Sequence, residues 1–266
     1  MMPPYLVVPS TTSHKHESIL ATLDVFARLG MTDLDLNLNH IVERGADAGE
    51  VHARIAANGQ RVRIVSGGWC DFSDPEPQIQ RTFESVERQI SLVRRFGADR
   101  LRLFFGRLPA EAYRASAAAR SRIRTNLQRL ADRHTDLLFV LENHDGASSQ
   151  PEVCREILEA VDRPNVRLTF DPINFEAVGV DSLHAVRRLA DLVGHVHLKG
   201  LDAAGFCGFG EGRVDLAPVL RELVAAGYRG GFTVEYEGPF DRTVRLYESL
   251  QRARSVVADL TRQPVA

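Results

Sequence analysis

Apolar residues along the chain follow two different spacings. Short runs of apolar and β-branched residues, typical of buried strands, are separated by longer stretches in which apolar residues recur every three or four positions, as in amphipathic helices. Four of the longer stretches are followed by a glycine, the residue that commonly ends a helix, at Gly30, Gly59, Gly97 and Gly227. The predicted strands cover residues 5–9, 33–38, 62–66, 101–105, 137–142, 166–171, 195–199 and 232–235. The predicted helices cover residues 17–29, 46–57, 77–96, 111–134, 151–161, 182–192, 216–226 and 242–260.

Eight strands interleaved with eight helices favour an α/β fold, a single (β/α)8 TIM barrel over residues 1–266. A doubly wound open sheet is the alternative, but it does not bring the ends of the last four strands to one centre so naturally. The longest predicted loops, 67–76, 144–150, 172–181 and 200–215, all follow strands. We therefore expect them on the face where barrel enzymes place their active sites.

Each of the last four predicted strands ends on a residue able to bind a metal: Glu142, Asp171, His197 and Glu235. In a closed parallel barrel these strand ends open on one rim, so the four side chains would converge. Three carboxylates crowded there would repel one another by about 4 kcal/mol per pair at a separation of 4 Å and an effective dielectric of 20. A divalent cation would relieve that repulsion. Three oxygen ligands and one imidazole suit Mn²⁺, which we expect first, or Mg²⁺, Co²⁺ or Zn²⁺.

Composition narrows the class of partner and the compartment. A formal net charge of −2 gives no electrostatic reason to expect nucleic acid. The sequence shows no basic leader and no long apolar stretch, so neither a secretory signal nor a membrane span is expected. The three cysteines are odd in number and widely spaced, which argues against a disulfide framework and favours a reducing compartment. The expectation is a cytoplasmic protein that acts on a small molecule.

Five short motifs follow one another between residues 137 and 238. They are Leu141-Glu-Asn-His144, Leu168-Thr-Phe-Asp-Pro-Ile-Asn174, Gly194-His-Val-His-Leu-Lys199, Gly210-Glu-Gly-Arg-Val-Asp215 and Val234-Glu-Tyr-Glu-Gly238. In this order they resemble the sugar-phosphate isomerase/epimerase group of the xylose-isomerase-like TIM barrels, relatives of ketose 3-epimerases, hydroxypyruvate isomerase and inosose dehydratase. The resemblance implies one divalent metal bound by Glu142, Asp171, His197 and Glu235, with His197 rather than His195 as the histidine ligand. Related barrels are commonly dimers or tetramers, which implies a homodimer.

The expected reaction is isomerisation or epimerisation of a small sugar, keto-sugar or cyclitol. A metal that chelates a carbonyl and an adjacent hydroxyl makes the neighbouring C–H more acidic. Glu142 and Glu235 would then serve as the acid/base pair around a metal-stabilised enediolate, as the resemblance to ketose epimerases implies. If a β-hydroxyl or a glycosidic oxygen leaves instead, the site becomes that of a lyase, similar to inosose or 3-dehydroshikimate dehydratase or a keto-glycoside β-eliminase.

Two further classes remain as rivals. A hydrolase like the endonuclease-four branch of the superfamily would need a multi-metal cluster with more histidines and a basic DNA-binding face, and neither is evident in the sequence. A non-catalytic sugar-binding barrel is disfavoured because the ligand set is intact.

Four other residues are expected to contact the substrate: His144, Asn174, Lys199 and Trp69. His144 lies two residues beyond the first predicted ligand and shares its parity. Asn174 matches a position that contacts substrate in the enzymes it resembles. Lys199 would neutralise an enolate or bind an anionic group, with an ion pair to Glu237 as the alternative. Trp69 would form a flat apolar wall against a sugar ring, with rim packing as the alternative.

The remaining assignments concern residues near the predicted rim. His195 is expected to be a packed, hydrogen-bonded histidine of the barrel, and Arg102 and Arg107 are assigned to the surface because arginines are so frequent. Ketose 3-epimerases that act on free sugars carry an arginine and a further glutamate near the substrate, and here Ala203 and Ser148 occupy the approximate positions. This departure favours a modified sugar, a keto-glycoside or a cyclitol over a free ketohexose.

Overall fold

Eight parallel strands form the centre of the computed structural model, which describes residues 5–260. Each strand pairs with its neighbours in the chain and the last pairs with the first, while a bridge between Ser10 and Asp35 joins the ends of the first two. The sheet is therefore a nearly closed barrel, and the predicted fold is confirmed. The strands are β1 Val7–Pro9, β2 Asp33–Asn37, β3 Arg61–Ser66, β4 Arg100–Phe104, β5 Leu138–Glu142, β6 Val166–Phe170, β7 Val193–Leu198 and β8 Gly231–Val234.

A helix of eight or more residues follows every strand, as predicted. Three shorter helices lie in the loops, at Asn39–Val42, Ala110–Ala115 and Pro172–Ala177. An antiparallel ribbon pairs Gly200–Leu201 with Phe206–Cys207 in the loop after β7, and the sequence pattern did not predict it. The main helices are α1 Ile19–Arg28, α2 Ala48–Ala57, α3 Gln78–Arg95, α4 Ala117–Arg133, α5 Pro151–Val161, α6 Ser182–Leu189, α7 Ala217–Ala225 and α8 Arg242–Leu260.

The predicted helix over residues 111–134 is wrong in one respect, because the structure divides it at Ser116. The backbone of Ser116 is extended (φ −112°, ψ 96°), and its side-chain oxygen accepts a hydrogen bond from the Ala119 N–H. A serine in this position satisfies one of the unpaired donors at the start of a helix. The apolar spacing continues across the break, so the spacing alone did not reveal it.

The barrel interior holds many polar residues, whereas the layer between strands and helices is apolar. Neighbouring positions of a strand face opposite sides of the sheet, so the buried Leu34 and Leu36 lie under the helices while Asp35 faces the axis. Within the interior, the Ser66 hydroxyl donates to Asp35 Oδ2 at 2.9 Å, and His195 Nε2 lies 2.8 Å from Thr233 Oγ1. His195 is thus the packed, hydrogen-bonded barrel histidine that was expected.

Several sequence expectations bear on the chain as a whole. No helix within residues 5–260 has the length and apolarity needed to cross a lipid bilayer. Cys70, Cys154 and Cys207 are all buried thiols that form no disulfide. The prediction that residues 1–266 form one domain extends to residues 1–4 and 261–266, which lie outside the described residues, and it stays a prediction.

One buried asparagine joins the ends of β5 and β6. The Asn143 amide donates to the Asp171 carbonyl at 2.9 Å and accepts from the Asp171 N–H at 2.8 Å. Asn143 is fully buried, and the adjacent Glu142 is the last residue of β5. The asparagine therefore fixes the relative positions of two of the predicted metal ligands.

Replacing Asn143 by alanine should destabilise the fold more than an ordinary loss of one hydrogen bond. Asn143→Ala leaves a buried N–H and a buried carbonyl unpaired, at a cost of about 1–3 kcal/mol each. The free energy of unfolding should therefore fall by about 2–6 kcal/mol in a urea titration. Asn126→Ala is the control, since it removes a single half-buried bond to the Phe72 carbonyl and should cost about 1 kcal/mol. Equal losses for the two variants would contradict this role.

Candidate metal centre

The four predicted ligands come together at the C-terminal end of the barrel. Glu142 ends β5, Asp171 follows β6, His197 lies near the end of β7, and Glu235 follows β8. One potential ligand atom from each side chain lies within 4.8 Å of the others, and all four residues are buried. Parallel strands that end at one rim thus produce the convergence from residues spread over almost a hundred positions.

The side chains of this cluster fit a divalent cation. Among the described residues, both ring nitrogens of His197 are buried without a hydrogen-bond partner, and Asp171 Oδ2 has only its ion pair with Lys199 at 3.0 Å. Buried polar atoms are normally paired, so a cluster of unpaired ones needs a physical explanation. Three carboxylates and one imidazole form a donor set suited to hard or borderline divalent metals. A cation among these atoms would bind the buried ligand atoms and offset the carboxylate repulsion.

Lys199 lies at the edge of the cluster and contacts three carboxylates. Its Nζ is 3.0 Å from Asp171 Oδ2, 3.1 Å from Glu237 Oε1 and 3.8 Å from Glu235 Oε2. The side chain is only 2% exposed. The ion pair with Glu237, which the sequence left as an alternative for Lys199, is therefore present, together with a contact to Asp171 that the sequence did not indicate.

Arg102 is not a surface residue, and that prediction is wrong. Its side chain is 5% exposed, with Nε 3.2 Å from Glu142 Oε2 and Nη1 donating to the Gly67 carbonyl at 3.0 Å. Position 102 faces the barrel axis because it alternates with the outward-facing Leu101 and Leu103. Strand parity could have identified this arginine, but the high arginine content of the chain was given more weight.

Trp69 is covered on both faces of its ring. Phe104 stacks on one face, with ring centroids 4.0 Å apart and planes 15° from parallel. The Arg107 guanidinium lies 4.0 Å from the Trp69 centroid, and two groups so close to one centroid occupy opposite faces. Arg102 in turn covers the Phe104 ring at 4.2 Å. This stack fits rim packing, but Trp69 is still 37% exposed and lines the cavity, so its contact with a substrate stays a prediction.

The other two expected substrate contacts differ in their surroundings. His144 packs edge-on against Trp69 and Phe104, with ring centroids 5.5 and 5.4 Å apart, and its side chain reaches the cavity. Asn174 is buried outside the cavity lining, where its amide donates to Glu142 Oε1 at 3.2 Å and to the Asn143 carbonyl at 2.9 Å. Asn174 therefore supports Glu142 in this structure, and its contact with a substrate stays a prediction.

A cavity of about 140 Å³ opens above the cluster. Glu142 and Glu235 form part of its wall, as do His144 and Trp69. Its charged lining is completed by Lys15, Arg102, Lys199 and Glu237. Polar groups thus surround a space of small-molecule size, next to the four converging ligands.

The two glutamates of the cluster differ in acidity. Burial alone would raise the pKa of Glu142, but the charges of His197 and Arg102 outweigh it and hold that pKa well below its usual range. Burial raises the pKa of Glu235 to about 7, with the charges of His197 and Lys199 opposing it only in part. Two carboxyl groups whose environments separate their pKa values are suited to divided acid and base roles.

The other two residues of the cluster also have shifted pKa values. Burial raises the pKa of Asp171, and the Lys199 charge opposes this shift. Burial would lower the pKa of His197, but the charges of Glu235 and Glu142 raise it to about 9. Among the protein groups alone, the imidazole therefore carries a positive charge that balances part of the carboxylate charge.

Comparisons with known proteins place this geometry in a family. The model of the xylose isomerase-like TIM barrels matches residues 23–255. Inosose dehydratase from Geobacillus thermodenitrificans (strain NG80-2) is 30% identical over 133 residues, and the match spans 42% of this chain and 45% of that protein, less than half of either.

Solved structures show the same fold. L-ribulose 3-epimerase superposes with a TM-score of 0.79 at 16% identity, covering 97% of this chain and 95% of that one. The IolI protein with a bound zinc atom superposes with a TM-score of 0.75 at 14% identity, covering 96% and 97%. Because the family model extends over most of the sequence and the barrel is nearly closed, the chain belongs to the xylose isomerase-like TIM-barrel family.

Proposed function

We propose that the protein is a divalent-metal-dependent isomerase or epimerase of a small sugar, keto-sugar or cyclitol. The observation that carries this proposal is the buried cluster of Glu142, Asp171, His197 and Glu235 beside a polar cavity. At about 140 Å³ the cavity is smaller than the 300–1,000 Å³ typical of drug-sized ligands. A small polyhydroxylated carbonyl compound fits a space of this size and polarity.

The cluster would hold one divalent cation, with Mn²⁺ proposed first and Mg²⁺, Co²⁺ or Zn²⁺ as alternatives. Such an ion, when bound, polarises a carbonyl and an adjacent hydroxyl and makes the neighbouring C–H more acidic. A cluster dominated by carboxylate oxygens favours hard cations, while its single imidazole is also acceptable to the softer ones.

We assign proton transfer to Glu142 and Glu235, which would have different roles. Glu142 already contacts Asn174 and His197 through Oε1 and Arg102 through Oε2, at 3.2–3.3 Å. Glu235 has longer contacts, 3.6 Å to His197 and 3.8 Å to Lys199. Glu142, whose low pKa keeps it ionised, would therefore take the proton from the carbon next to a carbonyl, and the less constrained Glu235, whose raised pKa lets it carry a proton, would return one from the other side.

Two cavity residues would orient the substrate. The rim histidine, His144, can exchange hydrogen bonds with a substrate hydroxyl, while its ring is held by Trp69 and Phe104. Lys199 places a positive charge where negative charge develops after proton removal. Charges fixed in advance at such a position lower the barrier because they need no reorganisation during the reaction.

A lyase on the same scaffold is the second candidate, and one observation favours it. The curated relative with 30% identity over 133 residues is an inosose dehydratase. Dehydration begins with the same loss of a proton next to a carbonyl and differs in the fate of the β-hydroxyl. The same two glutamates would serve, one removing the proton and the other protonating the departing hydroxyl.

The proposed partner is the small-molecule substrate alone, without nucleic acid or membrane, and the proposed assembly is a homodimer in the cytoplasm. The buried thiols of Cys70, Cys154 and Cys207 support a reducing compartment.

Loss of His197 should remove the cation whereas loss of its neighbour should not. We expect His197→Gln to weaken Mn²⁺ binding by about 100-fold or more in isothermal titration calorimetry, since even changes behind a ligand cost 10–100-fold. His195→Gln is the matched control on the same strand. Its ring packs edge-on against that of His197, with centroids 5.6 Å apart, so its loss should weaken Mn²⁺ binding by no more than about tenfold. Similar affinities for the two variants, or no Mn²⁺ bound by the unmodified protein, would contradict the assignment.

Incubation of the Mn²⁺-loaded protein in D₂O with ketoses, inososes and 3-dehydroshikimate should separate the two candidate reactions. Isomerisation or epimerisation predicts deuterium in the product without loss of water, and dehydration predicts a product lighter by one water, both read by mass spectrometry. Glu235→Gln should slow turnover by about 100-fold or more, the usual contribution of a general acid or base. Binding of these compounds with neither exchange nor turnover would favour a binding protein instead.

A further inference from the structure

The only two lysines of the chain meet at one carboxylate. Lys15 Nζ lies 3.0 Å from Glu237 Oε2, and Lys199 Nζ lies 3.1 Å from Glu237 Oε1. All three residues line the cavity. The lysines differ in depth, because the Lys15 side chain is 42% exposed and that of Lys199 is 2% exposed. One charge is therefore screened by water, and the other acts inside the protein.

Only the buried lysine reaches the ligand cluster. Asp171 Oδ1 already accepts hydrogen bonds from the Ile173 and Asn174 N–H groups at 2.9 and 3.0 Å. Asp171 Oδ2 is thus the oxygen left to bind a cation, and Lys199 Nζ lies 3.0 Å from it. The lysine and a divalent ion would share one oxygen.

We propose that Lys199 is a built-in counter-ion that lowers the affinity of the cluster for its cation, and that Glu237 is the positioning residue that retains the ammonium when a cation takes Asp171 Oδ2. The inference rests on the cation binding of the proposed function. Two positive centres near one carboxylate repel each other, and burial leaves that repulsion poorly screened.

The contacts of Lys199 support both halves of this proposal. Without a cation, the ammonium satisfies Asp171 and approaches Glu235, so the buried carboxylates are not left unpaired. On its other side, Glu237 and the Phe206 ring, whose centroid is 4.6 Å from Nζ, still hold the charge if the Asp171 contact is lost. The Lys199 ammonium thus has other partners within reach, so it can give up the contact with Asp171 without moving into solvent.

The test compares the two lysines by calorimetric titration with Mn²⁺ alone. Lys199→Met should bind Mn²⁺ at least about tenfold more tightly than the unmodified protein, because a buried like charge has been removed. Lys15→Met removes an equal charge from the other oxygen of Glu237 and should change the affinity by less than about threefold, because that charge is exposed. Glu237→Gln should weaken Mn²⁺ binding, and Glu237→Asp should restore part of it.

A second readout needs no substitution. Selective ¹⁵N labelling of lysine gives only two side-chain ammonium signals, and the signal that is absent in Lys199→Met belongs to Lys199. Titration with diamagnetic Zn²⁺ or Mg²⁺ should shift the Lys199 signal and leave that of Lys15 in place. If Lys199→Met does not fold, the ammonium signal that remains in Lys15→Met identifies Lys199 instead.

Equal or weaker Mn²⁺ binding by Lys199→Met, or a Lys199 signal unmoved at saturating cation, would overturn this inference and leave the proposed function intact. Absence of cation binding by the unmodified protein would overturn both.

Discussion

Mutual repulsion among buried carboxylates is the constraint on which the rest of this structure depends. Glu142, Asp171 and Glu235 are nearly inaccessible to water and lie within one small cluster. Buried charges of one sign are tolerated only when opposite charges and hydrogen bonds compensate for the lost hydration. The protein supplies part of that compensation through Arg102 on one side and Lys199 on the other. The remaining unpaired atoms point to a cation as the missing part.

The barrel makes this concentration of charge possible. Parallel strands end at one rim, and alternation along each strand sends every second side chain toward the axis. The outer positions then carry the apolar packing against the helices, as Leu34, Leu101 and Phe232 do. Because the outer layer contains the hydrophobic core, the inner face can hold polar residues such as Asp35 and Thr169. The apolar residues that stabilise the fold and the polar residues of the site therefore lie on opposite faces of the same strands.

The sequence predicted the strands, the main helices and the convergence of the four ligands, because these depend on local periodicity and on which residue ends a strand. It failed where a tertiary contact decides the outcome. Arg102 was assigned to the surface, although its parity placed it inside beside Glu142. The stacking of Trp69 on Phe104 could not be predicted from spacing either, and the wall expected from Trp69 stays a prediction. The role of Asn143 could not be predicted from spacing, since it depends on two hydrogen bonds between its side-chain amide and the backbone of Asp171.

Anomalous scattering from a crystal grown with saturating Mn²⁺ would show whether these side chains hold a cation. We expect one strong peak within bonding distance of Glu142, Asp171, His197 and Glu235, at the end of the barrel. A cavity without such a peak, or a peak held by other residues, would contradict this expectation.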